Sequence, residues 1–343
     1  MKWIKKYNGF KKINESVDID TLCQQYGITN YTINQDASID VEGNVRLDNL
    51  GLDRIPLKFG RVSGGFSCEN NQITSLEGCP NYVGGNFYCR HNQIKNLVGG
   101  PEVVTGIYMA ACNQIESLEG SPREVGAIFT LSKNKLENLI GCPVGLKSYN
   151  FNDNQLTSLE GSPEIVDGTF DVSFNKLESL KGGPREVTGY FGCHYNQLKS
   201  MKDGPQEVKK TYWANNNQLT DLYGGPSSCQ TFVCSNNNLT TLKGDVKYVE
   251  QSFLFSGNRV TIIDYEDIEF LECDKFAADD EFGRVSNLIH NIIVLFKNFK
   301  DFKYSLEYNY LSPPNVIYRQ RFAEACQEFE IEMPDSIDGY VFQ

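Results

Sequence analysis

An asparagine returns at a nearly constant interval along most of this chain, at Asn71, Asn92, Asn113, Asn134, Asn154, Asn175, Asn196, Asn217, Asn237 and Asn258. Of the nine intervals, seven are 21 residues and two, ending at Asn154 and Asn237, are 20; Leu50 holds the same slot one period earlier. A fixed period of that length means that each repeat is one small unit unable to bury its apolar face alone, so the units must stack. Register therefore constrains the fold more than the length of 343 residues does, because an array absorbs that length as one quasi-linear body.

Around each mark the chain reads Val-x-Gly-x-Phe-x-Cys-x-x-Asn-x-Leu-x-x-Leu-x-Gly-x-Pro, as from Val83 through Asn92, Ile94, Leu97 and Gly99 to Pro101. Positions five and three residues before the Asn hold pairs such as Phe66/Cys68, Phe87/Cys89, Phe170/Val172, Phe191/Cys193 and Phe253/Phe255, the inward sites of a period-2 strand. Two and five residues after it comes a second inward pair, for example Leu156/Leu159 and Leu177/Leu180. Each coil should thus bury about four side chains shared with its neighbours. The Asn lies where the strand turns, and its amide can donate to and accept from backbone groups of adjacent coils that burial would otherwise leave unpaired. Gly120-Ser121-Pro122 and Gly161-Ser162-Pro163 supply a second corner, with glycine free in φ and proline preset for a turn.

This pattern resembles the leucine-rich-repeat signature Leu-x-x-Leu-x-Leu-x-x-Asn-x-Leu, with Phe and Cys replacing two leucines and Val displaced by one residue. The expected fold is a β-rich solenoid of ten or eleven coils over residues 45–263, roughly 50 Å long at about 4.8 Å per strand, with one ordered strand face. Both ends of such a stack need covering. Residues 1–44 should form a short helical cap and lead-in, with Trp3, Tyr7, Phe10 and Ile13 at helical spacing and a second short helix near residues 19–26. Residues 264–343 should form an acidic helical cap: Val285, Leu288, Ile289, Ile292, Ile293, Phe296 and Phe299 mark one amphipathic face, Ser312-Pro313-Pro314 breaks it, and another helix runs over 319–329.

The longest apolar runs, 107–112 and 292–296, are far too short to cross a bilayer, so no membrane role is expected. The lysine-rich start is not followed by the apolar stretch of a secretory signal. Eleven cysteines, four of them (Cys68, Cys89, Cys193, Cys234) at one inward repeat position, point to buried thiols in a reducing compartment rather than a disulfide framework. Net charge is −12, and residues 264–343 carry 17 acidic against 7 basic side chains, which disfavours a nucleic-acid partner. Three histidines without Cys-x-x-Cys or His-Glu-x-x-His spacing give no metal site, no phosphate loop or nucleophile elbow is present, and no cofactor or catalytic residue is expected. Some bacterial effectors join such repeats to a ubiquitin ligase with a Cys-x-Asp nucleophile motif; Glu272-Cys273-Asp274 lacks the intervening residue, so Cys273 and Cys326 read as ordinary thiols.

Outward positions of the strand face lie six, four and two residues before each Asn, and most are small or polar, as at Ser67, Thr130, Asn152, Asp171 and Ser235. Two clusters depart from this. Ile107, Ile128, Tyr88 and Met109 form the first; Tyr190, His194 and Trp213, with Phe174 and Tyr195 at the edge just before the Asn, form the second. Aromatic groups exposed on adjacent coils are the material of protein-binding hot spots, so a protein partner on this face is the expected function.

The Asn-x-Leu-x-Ser-Leu-x-Gly-x-Pro repeats, the lead-in from Tyr31-Thr32-Ile33-Asn34 to Ile39-Asp40-Val41-Glu42-Gly43, and the ending Met333-Pro334-Asp335-Ser336-Ile337-Asp338-Gly339-Tyr340 are similar to leucine-rich-repeat proteins encoded by large T-even-like tailed bacteriophages. That resemblance implies a fold and a viral origin, with the cytoplasm of an infected cell as the location, but no reaction. Met1-Lys2 through Ile13-Asn14-Glu15 is also similar to phage capsid-targeting peptides cut after Ile-x-Glu. It implies a processing site at Glu15 and, as the alternative role, an internal component of the virion.

Overall fold

The computed structural model describes residues 18–260, together with the backbone of the strands Lys275–Ala277, Val316–Ile317 and Val341–Phe342. Two expectations lie wholly outside the described residues: the helix on Trp3, Tyr7, Phe10 and Ile13 with its processing site at Glu15, and the two C-terminal helices. A helix at Ile19–Gln25 occupies the expected place of the second N-terminal one and buries Cys23.

The described chain is a β-solenoid of about ten turns with leucine-rich-repeat character. Its strands pair in parallel with the coil before and after, Phe66 opposite Phe87, Phe87 opposite Tyr108, Phe170 opposite Phe191. An antiparallel pair, Tyr31–Ile33 with Ile39–Val41, precedes the stack, and Ile39–Val41 then pairs in parallel with Phe59–Val62. At the other end Lys275–Ala277 pairs with Ser252–Leu254.

The inward positions are buried as their period demands. Phe66, Phe87, Tyr108, Phe129, Tyr149, Phe170, Phe191, Tyr212, Phe232 and Phe253 form one aromatic column, and Ile73/Leu76 to Leu239/Leu242 form two aliphatic ones. Rings on successive coils meet at 4.8 to 6.2 Å, as in Phe191–Tyr212 and Phe170–Phe191. Such pairs add about 0.5–1.5 kcal/mol each beyond the area they bury.

Two features differ from the expectation of four buried side chains and a single strand face. The valines before each bend, Val62, Val83, Val104, Val125, Val166, Val187 and Val208, are buried as a further column. Val62, Val83, Val104 and Val125 sit on strands of a six-stranded sheet at the N-terminal end of the array, whereas the strands of Val166 and Val187 pair with each other and on to Val208 in the long strand Glu207–Trp213. Glycines separate the two strands of a coil because their bends stack with no room for a side chain: a Cβ on Gly126 would lie 1.9 Å from the carbonyl oxygen of Thr105. Where Lys209-Lys210 stands in place of Thr188-Gly189, Glu207–Trp213 is one continuous strand, with a register shift between Val208 and Thr211.

The asparagine ladder joins these coils. Asn175 Nδ2 donates to the carbonyl of Phe151 on the previous coil (3.1 Å) and of Val172 on its own (3.0 Å), while its Oδ1 accepts from the Leu156 N–H (2.8 Å). The same arrangement recurs from Asn71 to Asn258. Asn175→Ala should lower stability by about 2 kcal/mol, since it orphans the buried Leu156 N–H. Asn175→Asp should cost more, about 3 kcal/mol or above, because it sets a buried carboxylate oxygen against two carbonyls. Urea titration of the two variants checks the order.

Tyrosines in the aromatic column reach the Gly-x-Pro corner. Tyr149 Oη donates to the Pro143 carbonyl (2.9 Å) and accepts from the Leu146 N–H (3.0 Å). Tyr108 Oη is fully buried without a hydrogen-bond partner among the described residues, and a Cβ on Gly100 would lie 3.0 Å from it. Tyr108→Phe removes that unpaired hydroxyl and should raise stability by about 1 kcal/mol, measured by the same titration.

Candidate binding surface

The residue before each ladder asparagine takes the left-handed conformation so that the chain can turn out of the strand. Its φ is between 52° and 57° at Asn70, His91, Cys112, Lys133, Asp153, Phe174, Tyr195, Asn216 and Asn236, and Asn49, before Leu50 in the same slot, has φ 58°. Asn and Asp tolerate this backbone and Gly adopts it freely, whereas a bulky residue pays about 1–2 kcal/mol. Phe174 (φ 54°) and Tyr195 (φ 52°) are therefore strained, yet both remain 46% exposed, so burial does not offset the cost. Their rings stack on each other at 4.3 Å with an interplanar angle of 12°.

The other aromatics of this cluster join the pair through His194. Its ring meets Phe174 (5.4 Å), Tyr195 (5.8 Å) and Trp213 (6.2 Å) edge-on. Trp213 projects outward between buried Tyr212 and Ala214, but it is half-covered, because Tyr190 stacks on it at 5.3 Å and 14°. Lys210 Nζ, on the following coil, lies 5.2 Å from the centre of the Tyr190 ring. Burial pushes the His194 pKa down, while the Asp171 carboxylate pulls it the other way. Its Nδ1 is covered and has no hydrogen-bond partner among the described residues. Phe174, Tyr190, His194, Tyr195 and Trp213 are thus brought into one contiguous patch across three coils.

Tyr88 and Met109 pair in register on neighbouring strands and are half-buried. Asn86 Nδ2 donates to Tyr88 Oη (2.7 Å) and Asn86 Oδ1 accepts from the Ile107 N–H (2.9 Å), so the tyrosine hydroxyl already has an internal partner. Ile128 beside them is 42% exposed. Between Ile128 and Tyr190, members of the two clusters on one outward row, stand Ser148 and Thr169, a gap of about 14 Å at one strand spacing per coil. The two clusters are separate patches.

Asp171, Gly192 and Lys210 were not singled out by the sequence pattern, since one polar side chain, one glycine and one lysine are ordinary on an outward row. Among the described residues no group of three or more His, Cys, Asp or Glu side chains is placed to hold a metal ion. Burial pushes the Cys142 and Cys229 thiols up to about 12, which keeps them protonated and poor nucleophiles. Cys273 and Cys326 lie outside the described residues. No helix among the described residues is long and apolar enough to cross a membrane.

No protein-family model matches the chain, and no curated protein matches it. Among solved structures it is similar to YopM from Yersinia enterocolitica WA-314, at 19% identity and a TM-score of 0.30, over 64% of this chain and 61% of that one. The chain thus matches less than two thirds of that neighbour's length. Its leucine-rich-repeat character stands on its own coils: the repeated asparagine bonds, the parallel registers and the stacked inward columns.

Exchanging Phe174 and Tyr195 for asparagine relieves two strained positions and removes one exposed ring stack. These effects oppose each other at similar size, so the double variant should keep its stability within about 1 kcal/mol of the wild type in chemical denaturation.

Proposed function

We propose that this chain is a non-enzymatic scaffold that docks a protein partner on its strand face, at the patch formed by Phe174, Tyr190, His194, Tyr195 and Trp213. The observation that carries the reading is the pair of bulky aromatic residues held exposed at left-handed positions, where Asn or Gly would be less strained. Strain of this kind persists where a site uses the residue. Large aromatics grouped on a rigid surface also match the composition of interface hot spots. The similarity of the repeats and ending to phage-encoded proteins supports a partner, host or viral, inside an infected bacterial cell.

Affinity capture from such cells, comparing wild type with the folded Phe174→Asn/Tyr195→Asn variant, tests the reading. Loss of two hot-spot rings should weaken capture by about 2 kcal/mol or more, roughly thirtyfold. Trp213→Ala is a poorer probe, since it also removes the stack on Tyr190. Equal recovery of the same partners by wild type and the double variant would overturn the assignment of this patch.

A further inference from the structure

The charge of the solenoid changes sign at the aromatic patch. Residues 18–175 carry 19 acidic side chains against 10 basic, whereas residues 176–259 carry 7 acidic against 10 basic, and Phe174 and Tyr195 stand on either side of that boundary. Two exposed charges at the rim of the patch lack an opposite charge. Asp153 holds the position before the ladder asparagine on the coil preceding Phe174, and its carboxylate has no hydrogen bond or ion pair among the described residues. Lys210 lies three residues before Trp213, with its Nζ 5.2 Å from the centre of the Tyr190 ring, and has no ion pair among the described residues. Exposed Lys209 adds to that positive corner. Asp171 and Lys176, nearer the centre, are already bonded within the chain, to Ser173 (2.6 Å) and Gln155 (3.2 Å).

Asp153 and Lys210 occupy diagonal corners of the patch. Three coils separate them, about 14 Å at one strand spacing per coil, and Asp153 stands where the chain leaves the strand face whereas Lys210 stands near where it enters. The rings are divided in the same way. The Phe174–Tyr195 stack lies on the side where the strands end, and Tyr190, stacked on Trp213, lies on the side where they begin. A twofold axis normal to the face exchanges diagonal corners, so a second copy laid face to face brings its Lys210 to Asp153 and its Asp153 to Lys210, with rings against rings. Self-complementarity of this kind is what an isologous interface requires. The same rotation sets the two solenoids antiparallel, the acidic coils of one over the basic coils of the other. A uniformly acidic or basic partner would satisfy one corner and leave the other facing a like charge.

We propose that the partner of this patch is a second copy of the chain, held in an antiparallel twofold dimer by opposed rings and two Asp153–Lys210 contacts. This rests on the docking surface proposed above and names its occupant. Exposed ion pairs add little affinity, so the rings hold the dimer while the charges select the partner and its orientation. Sedimentation velocity of the full chain over a range of concentrations reads the association. The wild type should form a reversible dimer. Asp153→Lys and Lys210→Asp should each weaken it about tenfold or more, because the twofold axis repeats every like-charge contact. Lysine is accepted at the Asp153 slot, since Lys133 holds it on the preceding coil with φ 57°. An equimolar mixture of the two reversed forms should dimerise as tightly as the wild type, for then both corners pair opposite charges.

A wild type that stays monomeric, dimers that tolerate both reversals, or reversed forms that do not recover on mixing would each overturn the proposal. Thermal denaturation first establishes that both forms fold; one that does not is replaced by the neutral Asp153→Asn or Lys210→Gln, which should still weaken the dimer. Capture of a different protein that depends on Phe174 and Tyr195, with the wild type monomeric, would leave the docking surface standing and remove only the self-association.

Discussion

Everything in this solenoid depends on one side chain satisfying backbone groups that the stack has buried. Each coil turns out of its strand at a point where a carbonyl and an N–H of the preceding coil face inward, away from water. The asparagine amide answers both at once, as at Asn92, where Nδ2 donates to the Cys68 carbonyl (2.9 Å) and Oδ1 accepts from the Ile73 N–H (3.0 Å). No other side chain of that size offers a donor and an acceptor in the right place without a charge. The bonds run between coils, so they set the stacking register as well as contributing to stability.

That register has a conformational cost one residue earlier. To present the asparagine, the preceding residue must enter the left-handed region, and the array accepts this on coil after coil. Where the residue is Asn or Asp the demand is mild. At Phe174 and Tyr195 it is not, and the two rings remain in solvent, stacked on each other. A repeat protein can tolerate such local strain because its stability is summed over many neighbouring interfaces rather than concentrated at one. The repetitive core therefore leaves individual outward positions free to be chosen for contact.

The glycine bends do a second job of the same kind. They separate the valine strand from the aromatic strand of one coil, and where lysine replaces glycine at position 210 the two run on as one strand with a register shift between Val208 and Thr211. The continuous strand carries Trp213 at its end and Lys210 near its middle, which brings both an indole and an ammonium to the Tyr190 ring. The aromatic patch thus sits at the point where the solenoid changes from bent coils to continuous ones.

Much of the architecture is legible in the residue order. The asparagine spacing, the alternation of Phe66/Cys68 and its successors, and the Gly-x-Pro corners each report a local environment that every coil repeats, and a repeated environment leaves a period. The buried valine column was less legible, since Val83 and its equivalents are offset from the usual leucine position and only stacking reveals a second set of strands. The strained backbone at Phe174 and Tyr195, and the meeting of Asp171, Gly192 and His194, leave no period at all. They arise between coils, from which side chains the ladder brings opposite one another and which way those side chains lean. Burial and backbone pairing are set by position within a repeat, whereas contacts across the outward face depend on rotamers and on the angle between neighbouring strands. Those are settled only when the coils are stacked.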